Sequence, residues 1–234
     1  MTDILVHGAV TSAIYAMLAV GFTLVFGVAR ILNLAHGAFY MLGAYFTYLF
    51  ATLLGLPLAL AALAAIAATA GLGWAVERWL IRPQRDSSMA VMMVTMAFLL
   101  VAEQVLLVTF GSEVVNVPAF ADAKFSLGGA DIGGQQLLTL ATAVAALAVL
   151  WLLIQRTRAG AAILALSQDP LAAQYMGIPI DRVYGRVVAL SAALAALAGV
   201  MAGPFLSTSP HMAMPALTKA FAIVIVGGLG SLPG

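Results

Sequence analysis

Cysteine is absent from the chain, which excludes disulfides, thiolate metal sites and cysteine nucleophiles and leaves the redox compartment open. Charge is nearly as scarce. Only 8% of the 234 residues are Asp, Glu, Lys or Arg, where soluble domains carry about a quarter. Between Arg30 and Glu77 there is none. The net charge is +1, with basic residues scattered at the ends of apolar runs. That distribution lacks the dense basic face a nucleic-acid partner requires. The start, Met1-Thr2-Asp3-Ile4, has no basic region, and no Ala-x-Ala-like site closes the first run. That run is read as a retained helix.

What is present is apolar surface. Hydrophobic residues make up 64% of the chain and mean hydropathy is +1.09, more than a water-soluble globule can cover. A helix needs roughly 20 apolar residues to cross a ~30 Å hydrocarbon core. Residues 4–29, 31–55, 58–76, 137–154 and 187–207 meet that requirement, and 88–110 meets it despite Glu103. The expected fold is all-α, a polytopic transmembrane bundle forming a single domain over 1–234.

The arginines orient it. They fall as Arg30, then Arg78, Arg82 and Arg85, then Arg156, Arg158, Arg182 and Arg186. If the chain crosses once per run, every cluster lands on one side, which the positive-inside rule makes cytoplasmic. The amino terminus and the acidic loop 111–136, with Glu113, Asp122 and Asp131 against Lys124, then lie outside. The last segment differs. After Lys219 the chain is uncharged and ends in Gly227-Gly228-Leu229-Gly230-Ser231-Leu232-Pro233-Gly234. Glycine and proline at this density cannot finish a regular helix, so a broken or re-entrant element is expected there, with further helices to follow.

Membrane helices associate through small residues, and two stripes spaced by four stand out: Ala67, Gly71 and Ala75, and Ser191, Ala195, Gly199 and Gly203. Generic packing is the plainer account and a pair of sliding faces the functional one. Asn33, His36 and Gly37 are polar or small at membrane depth, and a spacing of three puts the amide and the imidazole on one helix face. Such groups mark a pathway, or sit near the interface satisfied by water and carbonyls. Glu103 reads either as a proton relay or as an acid reaching the headgroups. The glycine run lacks the lysine and Ser/Thr pair of a phosphate loop, and its Gly-Ser neighbourhood has no second motif to support a protease dyad.

The segment 167–182 is the most informative polar stretch. Asp169 caps a short helix opened by Pro170, Gly177 supplies a left-handed stop, and Pro179 prevents continuation. The helix presents Leu171, Tyr175 and Met176 to a partner groove or to the membrane surface.

Three motifs carry a resemblance: Asn33-Leu34-Ala35-His36-Gly37-Ala38-Phe39-Tyr40-Met41-Leu42-Gly43-Ala44-Tyr45, then Met176-Gly177-Ile178, then Gly227 to Gly234. In that order they resemble the permease subunits of branched-chain amino acid ABC transporters, the LivH type. The resemblance implies a bacterial inner-membrane importer in which two related permeases form the channel. Two cytoplasmic ATPases, which hold the ATP and magnesium, drive it, and a periplasmic or extracellular solute-binding protein delivers substrate. This chain would bind no cofactor and catalyse no reaction. Asp169, Pro170, Leu171, Tyr175, Met176 and Gly177 would form the ATPase contact. Asn33, His36 and Gly37 would lie in the core near the translocation path, and Gly227, Gly228 and Gly230 in the broken element before the last helices. Members of the family continue beyond this point, so the sequence reads as shortened at its C-terminal end. Related permeases also carry urea and short amides. A contrasting alternative is an ion-coupled carrier or channel that uses Glu103 and His36 as relay groups.

Overall fold

The computed structural model describes residues 2–121, 124–127, 130–206 and 208–228. Among these, the α-helices are α1 (Thr2–Ala29), α2 (Ala35–Tyr48), α3 (Leu58–Val76), α4 (Ser88–Phe110), α5 (Gly134–Arg156), α6 (Arg158–Gln168), α7 (Pro170–Tyr175), α8 (Ile180–Ala202) and α9 (Ala213–Gly227). Six helical segments are long and apolar enough to cross a membrane. A further helix, α2, is prolonged by a π-helical turn over Leu49–Leu53. It buries twelve of its fourteen α-helical residues.

The centre of the bundle is α2 against α8. A Cβ added at Gly43 would lie 2.5 Å from the Ala196 backbone, and one at Gly199 would lie 2.0 Å from the Tyr40 carbonyl oxygen. Backbone contact of this kind is open only to glycine, and it replaces hydrophobic burial as the cohesive force between helices in lipid. The span window of α8 is accordingly 72% buried, against 22% for α4 and α5, which form the rim.

The stripe Ser191, Ala195, Gly199 and Gly203 faces inward as a packing surface: Ala195 is fully buried, Gly199 abuts Tyr40 and Gly203 abuts Val117. The stripe on α3 requires correction. Ala67 and Gly71 are exposed, and nothing lies within 4 Å of a Cβ built at Gly71. The buried stripe is Ala61, Ala65, Thr69 and Gly73, with Gly73 against Ala192 of α8. In an alanine-rich helix several faces carry small residues, and only the neighbour selects one.

Several boundaries also differ from the apolar runs. The run 31–55 does not start as a helix, because Arg30 takes a left-handed conformation (φ 52°) and residues 30–34 form a turn. Asn33 therefore precedes α2 and shares no helix face with His36. Instead its side-chain oxygen accepts from the Ala35 amide (3.1 Å) and its carbonyl from the His36 amide (3.3 Å), satisfying the first amides of the helix. The helix expected over 187–207 starts at Ile180 and ends at Ala202. Its first two turns carry Asp181, Arg182 and Arg186 on exposed positions, so charge did not end the helix there. α6 was not expected at all. It folds back from α5 through Thr157, whose hydroxyl accepts from the Gly160 amide (3.0 Å), at a turn where a Cβ on Gly160 would lie 2.2 Å from the Ile154 carbonyl oxygen.

The connection 111–133 between α4 and α5 contains a two-stranded antiparallel hairpin, β1 (Lys124–Leu127) with β2 (Ala130–Gly133), in register Lys124 to Gly133. At the chain's other end α9 stays regular as far as Gly227. Gly228 then turns to φ 96°. The glycine-rich break starts there, and residues 229–234, including Gly230, lie outside the described residues.

Candidate functional site

Hydrogen bonds and ion pairs tie the arginine-bearing end of the bundle together. Glu77 is 3% exposed at the start of a π-helical turn over Glu77–Ile81 that extends α3. It is paired with Arg85, which also reaches Asp181 of α8 at 2.8 Å; Asp181 pairs with Arg82 as well. The Arg85 guanidinium lies 4.2 Å from the ring centroid of Tyr184 on α8, adding a cation–π contact. Three elements, the α3 extension, the α3–α4 loop and the start of α8, are thereby held by one arginine. Beside them lies a cavity of about 90 Å³ whose polar walls are Asn33, Glu77, Arg85 and Tyr184. It has room and partners for ordered water.

Asp181 follows α7 by six residues, and α7 has the geometry its sequence requires. The Asp169 carboxylate accepts from the amides of Leu171 (2.9 Å) and Ala172 (3.0 Å). Gly177 is left-handed (φ 80°), and the Ile178 amide closes back onto the Ala173 carbonyl at 3.1 Å. Ala173 is buried, whereas Leu171, Tyr175 and Met176 are 66%, 88% and 83% exposed. One small residue anchors the helix, and its large apolar side chains stand off the bundle.

His36 sits deeper, 1% exposed. Its Nε2 lies 2.9 Å from the Leu18 carbonyl and its Nδ1 3.0 Å from the Ser191 hydroxyl. Because a carbonyl only accepts, Nε2 carries a proton and donates to Leu18, and Ser191 donates to Nδ1. The Phe22 ring meets the imidazole edge-on at 5.8 Å, and a Cβ on Gly21 would lie 3.0 Å from Cε1. The histidine thus pins α1, α2 and α8 at one point. Gly37, one residue on, faces α9: a Cβ there would lie 3.0 Å from the Ala213 carbonyl and 3.1 Å from the Leu217 Cβ. Asn33, His36 and Gly37 come together as successive points in the packing around the start of α2. Gly227 and Gly228 lie at the far end of α9 from Ala213.

Glu103 has a partner that its position in the sequence gave no sign of. It pairs with His211 in the short 3₁₀ turn before α9, and no hydrogen bond links it to His36 among the described residues. Lys219, midway along α9, donates to the Tyr15 hydroxyl of α1 at 3.2 Å with its ammonium 5.0 Å from the ring centroid. Glu77, Arg85, Asp181, Ser191, His211 and Lys219 were all missed as sites. Glu77 and Arg85 flank the end of the longest charge-free stretch, which was a usable signal. The other partners are separated by as much as 204 residues, and no local pattern joins them. No group of three or more metal-ligating side chains occurs among the described residues.

The sequence profile of the family described as branched-chain amino acid transport system / permease component matches residues 4–234. Among known proteins, the chain is similar to the high-affinity branched-chain amino acid transport system permease protein LivH of Escherichia coli K12. The two are 29% identical over 97% of this chain and 79% of the relative. It is also similar to BraD of Pseudomonas aeruginosa, a protein of the same description, at 30% identity over 98% of this chain and 80% of the relative. No solved structure matches it.

Proposed function

The chain belongs to the family of branched-chain amino acid transport permease components, and from that membership we propose that it is one of two permeases of a binding-protein-dependent ABC importer for branched-chain amino acids. The arginine-bearing end faces the cytoplasm of a bacterial inner membrane and the amino terminus faces outside. Partner ATPases hydrolyse ATP, and a soluble receptor supplies tight substrate binding. The permease supplies an alternating path and no catalytic group.

The observation that carries this reading is α7. An isolated six-residue helix with a side-chain cap, a glycine stop and three exposed apolar side chains is a rigid knob for a groove on a cytoplasmic partner. The knob connects to the working parts. Pro179 and Asp181 lie between α7 and the body of α8, so a push on α7 pulls Asp181 against Arg82 and Arg85 and tilts α8. Movement of α8 then reaches α2 through Ser191 and His36. Asn33, His36 and Gly37 act in this reading as the packed core beside the path, and Gly227 and Gly228 as the point where α9 ends.

A charge on the knob breaks the contact without touching the bundle. Met176→Glu is expected to lower ATP-driven uptake of leucine into proteoliposomes by at least about tenfold, because a carboxylate buried in an apolar groove is strongly disfavoured. Membrane insertion and ATP hydrolysis should persist. Uptake at the normal rate in this variant would remove α7 as the coupling element.

A further inference from the structure

On one flank of the bundle α1 meets α9 through Tyr15 and Lys219. Lys219 lies near the middle of the span Pro210–Gly227 and Tyr15 near the middle of Ile4–Ala29, so this contact is at membrane depth. Lys219 is exposed on the described surface. Its ammonium has three N–H groups, one of which goes to Tyr15, and no carboxylate lies within ion-pair distance among the described residues. A cation facing hydrocarbon here would be costly, whereas one lining a wet cavity at a protein interface is a common marker of a solute path.

Along the same flank runs an open groove of about 670 Å³, lined by His7, Thr11, Ser12, Tyr15 and Ile223 with two small residues between them. That volume falls within the roughly 300–1,000 Å³ of ligand pockets. Its walls are mainly apolar with a few hydroxyls. Thr11 donates its hydroxyl to the His7 carbonyl (2.8 Å), which leaves an oxygen lone pair to accept. Tyr15 accepts from Lys219 and keeps its own O–H to donate. An aliphatic amino acid zwitterion needs a cation and a donor for its carboxylate, an acceptor for its ammonium and an apolar wall for its side chain. The flank offers all of these.

We infer that Lys219 and Tyr15 form a transient subsite for the substrate carboxylate, and that the translocation path runs along the α1–α9 groove. This rests on the proposed import of amino acids and adds to it the place where the chain contacts its cargo. The approach of a second permease to this flank encloses the groove and excludes lipid from it.

The test uses the complete reconstituted complex, with leucine uptake and receptor-stimulated ATP hydrolysis measured together for wild type, Lys219→Met and Lys219→Arg. The expected result is a loss of uptake of about tenfold or more in Lys219→Met, the effect of removing one charge-assisted contact. Lys219→Arg should keep most of its uptake, and both variants their stimulated hydrolysis. Uptake at the wild-type rate in Lys219→Met, or equal loss in both variants, overturns the subsite and leaves the importer reading standing. Loss of the second permease on purification of Lys219→Met also overturns it, because the lysine then pairs with a carboxylate across the interface. A wild-type complex that carries no leucine removes the importer reading, and the subsite with it.

Discussion

At the scale of single residues, glycines at backbone crossings set how closely the helices of this bundle approach one another. Gly199 and Gly71 sit in alanine-rich spans and read alike in the sequence. One meets the Tyr40 carbonyl and the other meets nothing within 4 Å. Gly199→Ala is expected to lower the thermal midpoint of the detergent-solubilised protein, at a cost of about 1–3 kcal/mol from overpacking. Gly71→Ala should leave the midpoint unchanged or raise it slightly, because a glycine in an exposed helix interior costs up to about 1 kcal/mol relative to alanine. Equal shifts in the two variants would contradict the assigned packing. The sequence could name both glycines but could not tell them apart, since the deciding atoms belong to a helix more than a hundred residues away.

Among elements, the decisive contact lies between the end of α3 and the start of α8. Glu77 is nearly fully buried, and its partner Arg85 also holds Asp181. Removing the arginine strands a buried carboxylate, a change that typically costs about 3–5 kcal/mol. Arg85→Met should therefore destabilise the protein severely in thermal unfolding, and the double variant Glu77→Gln with Arg85→Met should recover much of the loss. Failure of the double variant to recover would place the role of Arg85 in its stacking on Tyr184 instead. The helix α7 was legible residue by residue, because caps and stops are local: Asp169, Pro170 and Gly177 each act within a turn of where they stand. The start of α8 was not legible, because an apolar run ends at its first charges while a helix can carry exposed charges into the polar face of the bundle.

For the whole molecule, the competing account is an ion-coupled carrier with Glu103 and His36 as relays. The fold separates them. Glu103 pairs with His211 at the exposed end of α9, and both nitrogens of His36 are committed to Leu18 and Ser191. Glu103→Gln is expected to leave ATP-driven leucine uptake within about twofold of wild type, the loss of a partly exposed pair being worth at most about 1 kcal/mol. Abolished uptake, together with dependence on a proton or sodium gradient, would restore the carrier account.

The sequence by itself determined the membrane-spanning class, the short capped helix between Asp169 and Gly177 and the family, because hydropathy and capping act over one span or one turn. Only the tertiary structure decided which face of each helix is buried, that Asn33 lies in the turn before α2 and not in the helix, that Glu103 has a histidine partner, and that Lys219 meets Tyr15. In a chain this rich in alanine and leucine every helix offers several acceptable faces. The choice among them is made by the shape of the neighbouring helix, which periodicity along one segment does not record.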